Sequence, residues 1–167
     1  REGHPEYEAL LKNLDEEEDE DIKLAALYAL ANMGSDKALS TVVSLYEHTK
    51  SANIRSKIVY VLGNFDAPES RKKLVEIALN DKSEKVRKDA IYALGNSDGD
   101  EVIEMLKKIV RSESDPEVRK AALYTLGNHH DKSTVAIAFL GEIARTDADE
   151  ELAKAATHSI GNIGERE

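Results

Sequence analysis

The chain has 167 residues, of which 41% are apolar, with no Cys, no Trp and a formal net charge of −10. No apolar run approaches the roughly 18 residues of a helical membrane span, and without Cys neither disulfides nor thiolate metal sites can form. The acidic balance argues against a nucleic-acid binder that works by displacing counterions from phosphates, and no signal peptide is in view, so a cytoplasmic location is expected.

Taken in chain order, an opening helix is predicted from about Pro5 to Leu14. An unbroken acidic run follows, Asp15, Glu16, Glu17, Glu18, Asp19, Glu20 and Asp21. It reads as a solvated loop whose charge lies favourably at a helix N-terminus, or as a docking patch for a basic partner. Helical patterning then covers Ile22 to Asn32, with Gly34 just beyond it as a left-handed stop. The next stretches are Ala38 to Tyr46, Ile54 to Asn64, Glu69 to Leu79 and Val86 to Asn96. In Glu101 to Val110 the apolar residues Val102, Ile103, Leu106, Ile109 and Val110 fall on one helix face, and Asp100 precedes them. Ser114 and Asp115 stand before Pro116, a favourable first-turn residue, and open the stretch Val118 to Asn128. Thr134 to Ala144 and Leu152 to Asn162 complete the set, with Gly164 just beyond the last.

Five of these stretches are copies of one pattern. Leu30, Leu62, Leu94, Leu126 and Ile160 hold the same place in each, at intervals of 32, 32, 32 and 34 residues. A unit of that length is one helical hairpin, which cannot bury its apolar face alone and must stack on its neighbours. The expected architecture is all-α, a solenoid of about ten helices forming a single domain over residues 1–167.

The core follows from the phase of the repeat. Ala26, Ile58, Ala90, Ala122 and Ala156 lie one turn before those Leu/Ile residues, so a small and a large side chain alternate along the seam between helices. Gly63, Gly95, Gly127 and Gly161 recur in the last turn, where Gly costs about 1 kcal/mol relative to Ala. Their recurrence predicts a helix crossing too close for a β-carbon, with Ala31 as the exception.

The copies Asn53-Ile54-Arg55…Leu62-Gly63-Asn64, Glu84-Lys85-Val86-Arg87…Leu94-Gly95-Asn96 and Asp115-Pro116-Glu117-Val118-Arg119…Leu126-Gly127-Asn128 resemble HEAT-like repeats of the short phycobilisome-lyase type. The likeness spans residues 5–164. It implies a right-handed superhelix with the signature helices on the concave side. It also implies that the Arg after the Val/Ile pairs with acidic residues between repeats, a role that falls on Arg55, Arg87 and Arg119, with Lys23 as a weaker version. Ala153 departs from this pattern in the last copy.

With positions 26 and 30 in the core, positions 28 and 32 are free for solvent. Tyr28, Tyr60, Tyr92 and Tyr124 occupy the first, and Asn32, Asn64, Asn96, Asn128 and Asn162 the second. Tyr and Asn stand four residues apart on one helix face, so two parallel ladders are expected. One reading is a groove for an extended partner segment, in which Asn pairs with peptide N–H and C=O while Tyr supplies rigid contact area. The other is that Tyr packs over the adjacent helix and Asn caps a helix end. Lys57, Lys88 and Lys120, with Asp89 and Ser56, are expected at the groove's edge.

His129 and His130 are adjacent and His158 replaces the ladder Tyr in the last copy; they are read as surface histidines, without the spacing of a metal site. No carboxylate pair falls in an apolar setting that would tune it for acid–base work. The leading expectation is therefore a non-enzymatic scaffold that binds a protein or extended peptide segment, with no cofactor, no nucleic acid and no membrane. The alternative is a bilin lyase-like or chaperone-like subunit that holds a tetrapyrrole and its acceptor protein, using Tyr, Arg and His around residues 92–130. Homo-oligomerisation is left open.

Overall fold

In a computed structural model the described residues are 20–33, 35–97, 100–129 and 134–164. They form nine helices: α1 (Glu20–Met33), α2 (Asp36–His48), α3 (Ala52–Leu62), α4 (Pro68–Asn80), α5 (Glu84–Gly95), α6 (Asp100–Ser112), α7 (Pro116–Asn128), α8 (Thr134–Thr146) and α9 (Glu150–Gly164). No strand occurs among the described residues. The expected opening helix, most of the acidic run, Gly34 and His130 lie outside them.

Capping explains where the helices begin. The Ser35 hydroxyl accepts from the Ala38 N–H at 3.2 Å, and Ser51 from the Ile54 N–H at 3.4 Å. Asp115 accepts from the Glu117 N–H at 2.9 Å, and Asp149 from the N–H groups of Glu151 and Leu152. Each supplies an acceptor to a donor that has no partner within its own helix. Pro68 and Pro116 each occupy a first turn, where the missing N–H costs nothing. Most boundaries lie one or two residues from the sequence reading. Asp100 is the first residue of α6, and Gly164 closes α9 from within.

The odd-numbered helices carry the repeated signature and stack in series, α1 on α3, α3 on α5, α5 on α7 and α7 on α9. Each even-numbered helix packs against the odd helices before and after it, making a second layer. The result is an α-solenoid of stacked hairpins around one continuous apolar core. Ile58, Leu62, Ala90, Leu94, Ala122, Leu126 and Ala156 are buried in it, as is Leu30. Ala26 and Ile160, in the two terminal units, are half-buried against it.

The end units differ from the inner ones in a specific way. Leu27, Val59, Ile91 and Leu123, three residues before the repeat Leu, are fully buried, whereas Thr157 holds that place in α9 and is exposed. At the other end Ile22 is 51% exposed, while its equivalents Ile54, Val86, Val118 and Leu152 are buried.

The glycines mark the closest crossings. A β-carbon on Gly127 would lie 2.7 Å from Ser159 Cβ and 2.8 Å from its Cα and carbonyl oxygen. On Gly95 it would collide with Thr125 Cγ2, and on Gly63 it would meet Ala93 Cβ at 3.0 Å. Gly161 has nothing within 4 Å, because no further helix among the described residues stacks on α9.

Candidate functional site

Between units, the signature arginines close the stack. Arg55 donates from Nε and Nη2 to both oxygens of Asp81, at 2.7 and 3.0 Å, and from Nη1 to the carbonyls of Thr49 and Lys50. Arg87 donates to the Asp81 carbonyl and to the Asp115 carboxylate, with Glu113 beside it at 3.5 Å. Arg119 donates to the Val110 carbonyl and to the Asp147 carboxylate. Each guanidinium thus bonds to the last turn of the preceding helix or the connection after it, and to the connection one unit further on. Position 49, which corresponds to Asp81 one repeat earlier, holds Thr49.

Asp81 also accepts from the Tyr46 hydroxyl at 2.6 Å and the Ser83 N–H at 2.8 Å. Burial raises its pKa, but the hydrogen bonds from Arg55, Tyr46 and Ser83 outweigh that and hold it below the ordinary carboxylate value. Burial, reinforced by the same contact, pushes the Tyr46 phenol well above its usual range. Asp147 is likewise lowered, with burial opposed by the Asp149 N–H and Arg119.

A groove of about 680 Å³, lined by residues of the odd helices and their ends, crosses α1, α3 and α5. Tyr28, Tyr60 and Tyr92 line it, 43%, 61% and 50% exposed, together with Asn64, Asn96 and Lys57. Its lining includes a closed polar triangle. Ser56 donates to Asp89 at 2.6 Å, and Lys85 donates to Asp89 at 2.9 Å and to Ser56 at 2.8 Å. Gly63 and Ala93, which meet at a tight crossing, also line the groove. The lining therefore offers aromatic faces, amides and one cation whose charge is not neutralised by the triangle.

The remaining ladder positions divide. Tyr124 is half-buried, packed against the core and set edge-on to His158 with ring centroids 6.0 Å apart, so it does not continue the groove. Asn32 and Asn128 are exposed on their own helices and Asn162 is half-buried. Lys88 pairs with Glu84 at 2.8 Å and Lys120 with Glu117 at 2.9 Å. Those hydrogen bonds raise both lysine pKa values, and neither lysine lines the groove. Asn96 closes α5 through its backbone N–H in a right-handed conformation, φ −84°, which leaves its side-chain amide exposed.

Three features were not read from the sequence. Lys85 stands in the groove where Lys88 was expected; its i,i+4 relation to Asp89 was the available signal. Tyr46 joins the Arg55–Asp81 pair from an even helix, with no signal beyond its place in the chain. His129 is buried and not a surface residue. Its Nε2 lies 2.8 Å from the Ser97 carbonyl, because it holds the repeat position of the buried Phe65. Among the described residues no group of three or more His, Asp or Glu is arranged to hold a metal ion.

The family model for HEAT repeats matches residues 7–95 and 71–161. The chain belongs to the HEAT-repeat family. That match is to HEAT repeats in general and does not single out the phycobilisome-lyase type. A comparison with curated proteins returned no match. No helix among the described residues is long and apolar enough to cross a membrane.

Proposed function

We propose that this HEAT-repeat chain is a non-enzymatic scaffold, working as one unit, whose odd-helix groove holds an extended segment of a partner protein. The observation that carries this reading is the exposure of Tyr28, Tyr60 and Tyr92 in one groove beside Asn64 and Asn96, while the core closes without them. Large aromatic side chains about half exposed at a repeated position add less packing to the fold than buried ones would. They do supply contact area at low entropic cost. The stacked helices beneath them are locked by glycine crossings and Arg–Asp bridges, so the groove is preorganised and little ordering is lost on its side when a segment binds. Its lining holds Lys57 and Lys85 against Asp89, a less negative balance than that of the whole chain.

The test is selection of peptides from a random display library on the full chain, followed by affinity measurement against wild type and the Tyr60→Ala/Tyr92→Ala variant. The reading expects selected peptides that lose about tenfold or more in affinity against the variant, which truncates two aromatic anchors. Peptides that bind both proteins equally would overturn it.

A further inference from the structure

We propose that a second surface, the cleft between α2 and α4 on the even-helix layer, docks a partner protein segment that carries an aliphatic anchor among basic residues. The cleft is separate from the odd-helix groove, so neither reading depends on the other.

The cleft traces to one repeat position. Lys73, Met105 and Phe139 hold equivalent places on α4, α6 and α8. Phe139 is buried, with Lys107 and Arg111 of α6 over its ring at 5.6 and 5.0 Å, and Met105 packs against the core. Lys73 carries a charge and cannot fill its seam in that way. Its ammonium bonds to Glu47 of α2 and Glu76 of α4, and sits 5.1 Å from the centre of the Tyr46 ring. Along the even layer α4 packs on α6, whereas α2 and α4 meet only sparsely. A cleft of about 630 Å³ lies between these two helices.

The lining sets the chemistry of the occupant. Leu39 and Val43 of α2 supply apolar surface, extended by the methylene stems of Lys72 and Lys73. Asp36 and Glu69 line the same cleft, one in the first turn of each helix, and both are exposed. Neither carboxylate has an ion-pair or hydrogen-bond partner among the described residues. Lys72 is exposed as well, but Lys73 is already committed to two carboxylates, so acidic groups prevail. An aliphatic side chain would take water off Leu39 and Val43. Basic neighbours would give Asp36 and Glu69 the partners that the fold does not supply, and an acidic segment would be repelled.

Fluorescence anisotropy with the full chain tests this. The labelled probe is a peptide in which a central Leu-Leu is flanked by two Arg on each side, and a comparison probe has Ala-Ala at the centre. Binding of the Leu probe is expected, with the Ala probe at least about fivefold weaker. Ser40→Phe places a ring in the cleft and should cost the Leu probe about tenfold or more. Asp36→Asn/Glu69→Gln should weaken it about fivefold or more. The control Glu150→Gln/Glu151→Gln removes the same charge from the first turn of α9 and should change binding by less than about twofold. Asp36, Ser40 and Glu69 are exposed, so their variants should melt as wild type does. Absence of binding by the Leu probe overturns the proposal. An Ala probe that binds as well, or a control pair that weakens binding as much as Asp36→Asn/Glu69→Gln, also overturns it, since attraction to a net acidic surface would then be the whole effect. Sedimentation of the chain alone should show a monomer; self-association abolished by Ser40→Phe would make a second copy the occupant and overturn the proposal too.

Discussion

Arg55 and Asp81 meet through two parallel hydrogen bonds, Nε to Oδ2 at 2.7 Å and Nη2 to Oδ1 at 3.0 Å, and both residues are buried. The pair joins the start of α3 to the connection before α5. Removing one partner strands the other charge away from water. Asp81→Ala should therefore lower stability by about 3–5 kcal/mol, read from urea unfolding. A loss below about 1 kcal/mol would show that the bridge is no more than an exposed ion pair.

Acid should loosen the same seam. Asp81 and Asp147 have pKa values below the ordinary carboxylate value in the folded chain. The unfolded chain therefore binds more protons near pH 4, and stability rises with pH there. The contribution is complete above the unfolded value of about 4 and is lost as pH falls through the lower folded values. Urea midpoints measured from pH 6 down to pH 3 should fall, and the Asp81→Asn/Asp147→Asn variant should fall less. Equal slopes would place the acid sensitivity in other carboxylates.

The glycines give a paired prediction. Gly127→Ala forces a β-carbon onto the Cβ, Cα and carbonyl of Ser159, and backbone there cannot swing aside. A loss of about 1–3 kcal/mol is expected. Gly161→Ala meets nothing within 4 Å and should be neutral or stabilising by up to about 1 kcal/mol, from helix propensity. Thermal melts of the two variants check this, and destabilisation by Gly161→Ala would contradict the stacking account.

The tyrosines should separate as well. Tyr60→Ala removes a ring that is 61% exposed and should change stability by no more than about 0.5 kcal/mol. Tyr124→Ala removes a half-buried ring packed on the core and against His158, and should cost at least about 1 kcal/mol. Similar effects at the two positions would show that the rungs share one environment.

The fold was legible because a repeat records its own geometry. The intervals of 32 residues fixed the unit, and the phase of Ala90 with Leu94 fixed which side of each helix is buried. Recurrent Gly63, Gly95 and Gly127 marked the crossings. All of these depend on spacing within a helix or on repetition at one position, which a sequence carries directly.

What the sequence left undecided depends on how separate helices meet. Tyr60 and Tyr124 hold the same repeat position, yet one ring stands in a groove and the other turns to His158, because the neighbouring unit differs. Lys85 faces the groove while Lys88 turns to Glu84, and His129 fills a buried site that Phe65 fills two units earlier. Periodicity determines the helix face a residue occupies. Its partner is set by helix crossings and by connections some thirty residues away in the chain, so only the tertiary structure chooses among side chains that the repeat treats as equivalent.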